Sequence, residues 1–351
     1  YGHHHQQPLG FTERQTENRT DVQTTDKMEE HKEERTDLAA FSGKVMELRK
    51  EIGKVIVGQQ EAVDLLLTAI LADGHVLIEG VPGVAKTLLA RLLAKLVDAR
   101  FSRIQFTPDL MPSDVLGTTV FNMKTSGFDF HEGPVFSNLV LVDEINRAPA
   151  KTQAALFEVM EERQVTIDGV THRMDEVYTI IATQNPVEQE GTYRLPEAQL
   201  DRFLFKIRMG YPSVDEETDI LRRHLEKRRL TRLEEVRPVL TVGELLQMRR
   251  QLETVYVEES LLRYIATVVQ QTRMSKAVYL GASPRASVAM LNASKAHALL
   301  AGRDFITPED IKSVTPSILQ HRLILTAEAE MEGYTPLKVA QKLIDKVEVP
   351  K

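Results

Sequence analysis

A lysine and a threonine follow a glycine-rich turn that separates a short apolar run from a helical pattern. The apolar run is Val76 to Ile78, and the helical pattern begins at Lys86-Thr87. A strand, a loop of inward-pointing backbone N–H groups and a helix N-terminus together form a phosphate-binding site. Lys86 can reach the β- and γ-phosphates of a nucleotide, and the Thr87 hydroxyl can coordinate Mg²⁺. The residues expected to bind the nucleotide here are Gly80, Val81, Pro82, Gly83, Val84, Ala85, Lys86, Thr87 and Leu88.

The loop departs from the general phosphate-binding pattern at one position. Ala85 stands where a glycine usually precedes the lysine. Its methyl group restricts the backbone dihedral angles that a glycine would allow. Because the position directly precedes a helix, alanine is tolerated there if its φ angle is negative.

Two carboxylates end a second apolar run, at residues 139–142. Asp143 is expected to hold Mg²⁺, mostly through water molecules, because Mg²⁺ gives up its hydration shell reluctantly. Glu144 is expected to polarise the attacking water as a general base. Asn185 follows the next predicted core strand and could orient that water, although an isolated asparagine before a proline simply starts a turn.

Arginines are the remaining candidates, since a guanidinium from the same or a second chain can stabilise charge that develops on phosphate oxygens. Arg202 precedes the last predicted strand and is suited to reach the nucleotide of a neighbouring subunit. Arg285 starts a helix in the second half and is expected to reach back to the γ-phosphate of its own chain. Arg147 and Arg194 are alternatives for the role of Arg202. Any single one of the 44 Lys and Arg residues could also be only a surface charge.

The elements that must position these residues follow an alternating order. Strand and helix patterns alternate through residues 74–208, which is typical of an α/β domain with a mainly parallel sheet. Predicted hairpins at about 117–131 and 164–174 interrupt this order. Strand patterns then fade and helical ones continue. We therefore predict an α/β core over residues 38–211 and a small helical domain over residues 212–351.

Composition narrows the class of protein. Residues 1–37 are expected to form a disordered polar tail, because they contain too few apolar side chains to offset the entropy of ordering. The chain has no cysteine, which excludes disulfides and thiolate chemistry, and its net charge of −7 argues against broad nucleic-acid binding. No apolar stretch approaches the ~20 residues that span a bilayer. We therefore expect a cytoplasmic protein without a membrane span.

Together these motifs resemble the MoxR family of AAA+ ATPases, over about residues 40–345. The segments that carry the resemblance are Gly80–Thr87, Leu141–Ala148, Ala182–Pro186, Leu195–Phe203 and Gly281–Ala286. Alanine before the lysine is common in this family, so Ala85 fits the family pattern. Arg194 departs from it, since relatives often have a proline there.

The resemblance implies a role for each candidate residue. Lys86 and Thr87 would belong to the Walker A motif, and Asp143 and Glu144 to the Walker B motif. The other implied roles are sensor 1 for Asn185, arginine finger for Arg202, sensor 2 for Arg285 and adenine contact for Val57 and Gly58. From the residues alone, the turn at Val57-Gly58 is explained more simply as a connection between two helices.

The resemblance also implies a fold, cofactors, an assembly and a function. The fold would be an AAA+ P-loop NTPase core with a parallel five-stranded sheet and β-hairpin insertions, followed by a small all-helical lid domain. The cofactors would be ATP and Mg²⁺, in a homo-oligomer that forms a hexameric ring with the hairpins facing the pore or a substrate. Members of the family act as chaperone-like remodellers or maturation factors, with a von Willebrand A domain protein or a metalloenzyme as a possible client.

Two other functions stay open at this point. One is a nucleotide-dependent scaffold, in which ATP binding orders the ring and hydrolysis only resets it. The other is a nucleic-acid motor or a metal-chelatase subunit, classes that share this branch of the superfamily. The acidic net charge argues mildly against a DNA partner.

Overall fold

The computed structural model of the protein describes residues 38–80, 85–184 and 195–351. The predicted tail, residues 1–37, lies outside these ranges. The first described helix, α1, covers residues 38–55 and buries Phe41, Val45, Leu48 and Ile52 on one face. This is the face that the alternating spacing of three and four residues requires. The second helix, α2, is Gln60–Leu71.

The strands described between residues 75 and 209 are, in chain order, β1 (His75–Gly80), β2 (Phe101–Gln105), β3 (Gly117–Asn122), β4 (Gly127–Glu132), β5 (Leu139–Asp143), β6 (Gln164–Ile167), β7 (Val170–Arg173), β8 (Thr179–Gln184) and β9 (Phe203–Met209). Five of them form one sheet in the order β2-β5-β8-β1-β9. All of its neighbouring pairs are parallel. The predicted parallel five-stranded sheet is therefore confirmed.

Helices connect these strands and cover the sheet. They are α3 (Lys86–Leu96), α4 (Pro112–Leu116), α5 (Ala150–Glu162) and the short α6 (Glu197–Leu200), with a 3₁₀ turn at Ile145–Arg147. Every residue of β5 is buried, as expected for a strand covered on both faces. A strand that is buried on both faces needs apolar side chains at successive positions, which explains the continuous apolar run before Asp143.

The two predicted hairpins are present and lie outside the main sheet. One pairs β3 with β4, and the other pairs β6 with β7. Asp168 and Gly169 turn the second hairpin with φ angles of 51° and 78°. Two successive left-handed residues match the twist of antiparallel strands, which explains the Asp-Gly sequence.

The second half of the chain is helical, as predicted. Its helices are α7 (Val214–Leu225), α8 (Val242–Gln251), α9 (Glu259–Met274), α10 (Pro284–Leu300), α11 (Pro308–Leu319), α12 (Ala327–Met331) and α13 (Pro336–Lys346), with 3₁₀ turns at Leu233–Glu235 and Leu252–Thr254. The lid also contains an antiparallel ribbon of β10 (Val278–Leu280) and β11 (Ile324–Leu325). The expectation of an entirely helical lid therefore needs this correction, because two short extended segments pair there.

One arginine after α11 joins the lid to the core. Arg322, whose side chain is 5% exposed, donates to the Asp201 carboxylate at 2.7 Å and to the Phe203 carbonyl at 2.9 Å. A planar guanidinium can satisfy several acceptors at once, so this joint fixes the start of β9 against the lid. Among the helices of the described ranges, none is long and apolar enough to cross a membrane.

Candidate active site

Three strands end at one edge of the sheet and bring the predicted acidic and basic residues together. In the parallel register Glu79 of β1 lies beside Gln184 of β8, and Val142 of β5 lies beside Ala182 of β8. The carboxyl ends of parallel strands are where ligands bind in open α/β sheets. Gly80 and Asp143 consequently end at the same edge.

Lys86 begins α3 and points back towards the end of β1. Its Nζ donates to the Gly80 carbonyl at 3.4 Å. Burial lowers the pKa of Lys86, while the negative charges of Asp143 and Glu144 act in the opposite direction. The lysine and the two carboxylates therefore belong to one electrostatic site.

Ala85 precedes α3 with a φ angle of −76°. A negative φ is open to any L-residue, so the methyl group introduces no strain of the left-handed kind. Because alanine has no polar side chain, it leaves the first N–H groups of α3 without a capping side chain of its own. The helix start can offer these groups and its positive dipole end to an anion.

Asp143 is held by side chains from the strands on both sides of β5. Its Oδ2 accepts a hydrogen bond from Arg103 Nε at 2.5 Å, and its Oδ1 accepts one from Thr183 Oγ1 at 3.3 Å. Arg103 lies opposite Leu141 in the β2–β5 register, so its side chain shares a face with that of Asp143. Motif spacing missed Arg103 because only the pairing of distant strands reveals it.

Glu144 adopts a left-handed conformation, with φ 54° and ψ 57°. Such a conformation is unfavourable for a non-glycine residue by about 1 kcal/mol or more. The Glu144 N–H donates to Thr183 Oγ1 at 3.0 Å, which helps to hold the turn. Its carboxylate accepts a hydrogen bond from Arg147 at 2.8 Å. Thr183 therefore positions both acidic residues, and Arg147 pairs within its own chain.

Oxygen atoms at this edge fit a Mg²⁺ ion that arrives with a nucleotide. Thr87 starts α3 and Asp143 ends β5, so a hydroxyl and a carboxylate are available. Mg²⁺ in nucleotide sites is held by one or two such ligands, by phosphates and by water. Among the described residues, no three His, Asp or Glu side chains are grouped so that they could hold a metal ion by themselves.

A cavity of about 530 Å³ lies beside the start of α3. It is lined mainly by apolar side chains, among them Val57, Ala85, Leu88, Tyr211 and Ile220. Its size is in the ordinary range of small-molecule sites, and its apolar walls suit a planar base. Tyr211 and Ile220 were not predicted, because they lie in the connection to the lid and in α7, far along the chain from the phosphate loop.

Gly58 next to this cavity has a backbone conformation that favours glycine, and it lies against the side chain of Glu216. Its φ angle is 77°, a left-handed conformation. A Cβ atom built there would lie 2.1 Å from a carboxylate oxygen of Glu216 on α7. The turn at Val57-Gly58 is thus a close contact with α7 as well as a connection between helices.

Arg202 and Arg285 lie at the other end of the sheet from Lys86. Phe203 pairs with His75 at the start of β1, whereas Met209 pairs with Gly80 at its end. At ~3.3 Å per residue, five steps along a strand separate the two ends by roughly 16 Å. The expectation that Arg285 reaches the γ-phosphate of its own chain is therefore wrong in this arrangement, because the lid holds it at the far end.

Both arginines contact the same glutamate near the end of α5. Arg285 donates to Glu161 at 2.9 Å, and Arg202 Nε lies 3.8 Å from the other Glu161 oxygen. The hydrogen bond from Arg285 to Glu161 raises the pKa of Arg285, and the charge of Asp201 acts in the same direction. Arg202 also donates to the Phe157 carbonyl at 2.5 Å. Glu161, which the sequence motifs did not indicate, contacts both guanidinium groups.

Several predicted site residues lie outside the described ranges. These are Val81, Pro82, Gly83 and Val84 in the loop, Asn185 after β8, and Arg194. Their proposed roles stay predictions.

Comparisons with known proteins agree with this fold. Residues 75–205 match the family described as "ATPase family associated with various cellular activities (AAA)", and residues 270–346 match the AAA lid domain. The solved structure of a putative ATPase from Cytophaga hutchinsonii is similar, with a TM-score of 0.83 and 42% identity. It covers 92% of this chain and 99% of its own.

Two relatives show the family by sequence. Chaperone MoxR1 of Mycobacterium tuberculosis is 44% identical over 309 residues, which are 86% of this chain and 81% of that protein. Protein YeaC of Bacillus subtilis, described as uncharacterized, is 47% identical over 314 residues, 90% of this chain and 96% of its own. The sheet, the lid and these relatives lead to one conclusion: the chain belongs to the MoxR family of AAA+ ATPases.

Proposed function

We propose that the protein is a Mg²⁺-dependent ATPase that works as a ring of identical subunits, each completing the nucleotide site of its neighbour. The observation that carries this proposal is the position of Arg202 and Arg285 at the opposite end of the sheet from Lys86. A guanidinium supplied by another chain is a recurring way to stabilise the transition state of phosphoryl transfer. This separation from Lys86 is expected if the two arginines act at the nucleotide site of a second copy.

Within one site, the residues divide the work. Lys86 binds the β- and γ-phosphates, and Glu144 takes a proton from the attacking water. Thr87 and Asp143 would hold Mg²⁺, which neutralises phosphate charge when it is bound. Asn185 would orient the water, and Arg202 and Arg285 of the next subunit would stabilise the charge on the phosphate oxygens. The site residues and their roles are part of the proposal.

The work of the ring is proposed to be chaperone-like remodelling of a client protein in the cytoplasm. Two features support it. One is the name of the relative Chaperone MoxR1. The other is the β3–β4 hairpin, where Phe121, Met123 and Phe128 are 52%, 85% and 73% exposed. Exposed apolar side chains grouped on one hairpin are suited to contact another protein. A von Willebrand A domain protein or a metalloenzyme remains the client class implied by the family.

Replacing the proposed base tests the hydrolytic function. Glu144→Gln is expected to lower ATP turnover by about 10²- to 10⁴-fold, because an amide cannot accept the proton of the water. ATP binding should persist, since Lys86 and the cavity are unchanged. ATP turnover is measured by phosphate release, and ATP binding is measured by calorimetry. Glu253→Gln, at an exposed lid position, is the matched control and should leave turnover unchanged. Near-normal hydrolysis by Glu144→Gln would contradict the base role.

One observation favours a second candidate, the nucleotide-dependent scaffold. The carboxylate of Glu144 is paired with Arg147 at 2.8 Å, which occupies the proposed base in this arrangement. An attacking water must compete with the Arg147 guanidinium for this carboxylate, so basal turnover would be low. ATP-dependent assembly with almost no turnover, with or without a client, would favour the scaffold. Turnover that rises when a client binds would favour the remodeller.

A further inference from the structure

Glu161 lies between the two arginines that are proposed to serve a neighbouring nucleotide. It stands near the end of α5, and its two carboxylate oxygens face different partners. Its Oε1 accepts a hydrogen bond from Arg285 at 2.9 Å, and its Oε2 lies 3.8 Å from Arg202 Nε. Arg285 comes from α10 of the lid, and Arg202 directly precedes β9 of the core. One carboxylate therefore joins guanidinium groups from the core and from the lid.

Arg202 is held by α5 at two points. One of its terminal nitrogens donates to the Phe157 carbonyl at 2.5 Å, and its Nε faces Glu161. Phe157 and Glu161 are four positions apart, which places them on one face of the helix. The Arg202 side chain is 24% exposed, and a guanidinium carries five N–H donors. The end of α5 thus orients this group and leaves donors for a further acceptor.

Arg285 is the more exposed of the two arginines, at 63%. A long exposed side chain samples many rotamers unless a partner holds it. Its other acidic neighbour, Asp201, lies 3.7 Å away and already accepts a hydrogen bond from Arg322 at 2.7 Å. Glu161 is therefore the closest acidic partner of Arg285 among the described residues.

The charges of this cluster explain the need for a carboxylate between the arginines. Arg202, Arg285 and Arg322 carry three positive charges, and Glu161 and Asp201 carry two negative ones. Guanidinium groups that approach the same point repel each other, and a carboxylate between them offsets this repulsion. Three positive charges against two negative ones leave the cluster positive, so it can still attract the negative charge of a phosphate.

We infer that Glu161 is a positioning residue, which holds Arg202 and Arg285 side by side for the phosphates of a second copy. The inference rests on the proposed function, in which these arginines stabilise charge at the nucleotide of the neighbour. In this role Glu161 acts only through the two guanidinium groups and not on the nucleotide of its own chain. Charges that are oriented in advance stabilise a transition state best, because they need no reordering during the reaction.

Removing only the charge of Glu161 tests this role. Glu161→Gln is expected to lower kcat for ATP hydrolysis at least about tenfold, because misplacing groups that act in the transition state slows the reaction strongly. The KM for ATP should stay within about twofold, since Lys86 and the base cavity are unchanged. Glu162→Gln is the matched control, because Glu162 is exposed at the next position of α5. Rates are compared at protein concentrations where sedimentation shows both variants assembled. An unchanged or increased kcat for Glu161→Gln would overturn the inference.

Mixed subunits show whether Glu161 acts through the arginines of its own chain. The reference mixture combines Lys86→Ala with a chain that carries Arg202→Ala and Arg285→Ala. Its complete sites use only the arginines of the lysine variant. Glu161→Gln added to the lysine variant is expected to lower the recovered ATPase rate at least about tenfold. Added to the arginine variant instead, it has no guanidinium groups to position, so the recovered rate should stay within about twofold of the reference.

The outcomes separate this inference from the proposed function. If the reference mixture recovers activity but Glu161→Gln has the same effect in either chain, only the role of Glu161 is wrong. If the reference mixture recovers no activity although the subunits exchange, the composite site is wrong, and the role of Glu161 is wrong with it.

Discussion

The carboxylate of Asp143 is bound by Arg103 from β2 and Thr183 from β8. Only 13% of the Asp143 side chain is exposed, so the carboxylate depends on these partners more than a surface acid would. A buried carboxylate that loses a donor keeps the cost of its desolvation. The position of the Asp143 carboxylate is therefore set by three strands rather than by β5 alone.

Replacing Arg103 measures how much the stability of the fold depends on its contact with Asp143. Arg103→Met is expected to lower the free energy of unfolding by about 1–2 kcal/mol without nucleotide, because a partly buried charge-assisted hydrogen bond is lost. The Arg103 side chain is 45% exposed, which keeps the loss at the lower end. The loss should be smaller with ATP and Mg²⁺, since a bound cation would compensate the carboxylate. Urea denaturation with and without both ligands gives the two values.

The control for this variant is another arginine–aspartate pair of similar length. Arg100 and Asp175 are 2.7 Å apart, but their side chains are 65% and 56% exposed. Arg100→Met is therefore expected to change the unfolding free energy by less than about 1 kcal/mol. Losses of the same size for both variants would contradict the account of Asp143.

Sequence reasoning found some of these residues and missed others for a physical reason. Lys86 and Glu144 stand in short local motifs, where the strand, the turn and the helix start follow one another along the chain. Arg103 and Thr183 act through partners 40 and 39 positions away, and Glu161 pairs with Arg285, 124 positions away. The sequence does not state which of these distant segments are neighbours. Their roles depend on the strand order and on where the lid lies.

At the scale of the elements, a buried histidine joins three segments at the end of the sheet far from Lys86. The His75 Nδ1 accepts a hydrogen bond from the Ile180 N–H at 2.9 Å, so the proton of the neutral ring is on Nε2. That nitrogen faces the Met160 carbonyl at 3.3 Å. Burial, together with the charge of Arg163, lowers the pKa of His75 to about 3.

This histidine makes the stability of the fold sensitive to acid. Below a pH of about 6.5 the unfolded chain binds a proton on His75, which the folded chain refuses until about pH 3. Stability is therefore lost as the pH falls through this window. Between pH 7 and 5 the unfolding free energy should decrease by about 2 kcal/mol more in the natural chain than in His75→Gln.

Urea denaturation at the two pH values checks this difference. His131→Gln is the matched control, because His131 is exposed on β4 whereas His75 is buried. An equal decrease in the natural chain and in His75→Gln would show that the buried ring is not responsible.

The element boundaries were largely predictable, but the orientation of the elements was not. The period of apolar residues predicts helices in the second half of the chain, and α7 covers Val214–Leu225 there. The same period cannot state whether the apolar face turns inward or outward. In α7 it turns outward, since Val214, Leu221 and Leu225 are 83%, 67% and 82% exposed. Ile220, Arg223 and His224 line the cavity on the other side of the helix.

At the scale of the whole molecule, the lid decides where the arginines lie. Arg322 fixes the lid to the start of β9, and Arg285 reaches Glu161 and Asp201 from α10. The sequence placed Arg285 at a helix start, which is correct. It could not indicate that this helix start faces the end of the sheet away from the phosphate loop, since that depends on the packing of two domains.

The activity of mixed subunits tests the composite site most directly. Lys86→Ala removes the phosphate contact, and Arg202→Ala with Arg285→Ala removes both guanidinium groups, so each preparation alone should be inactive. In an equal mixture, a site is complete when the loop comes from the arginine variant and the arginines come from the lysine variant. Random mixing in a closed head-to-tail ring predicts about a quarter of the natural ATPase rate. No recovery, with exchange between the two variants verified by mass, would contradict the proposal that a neighbouring subunit supplies the arginines.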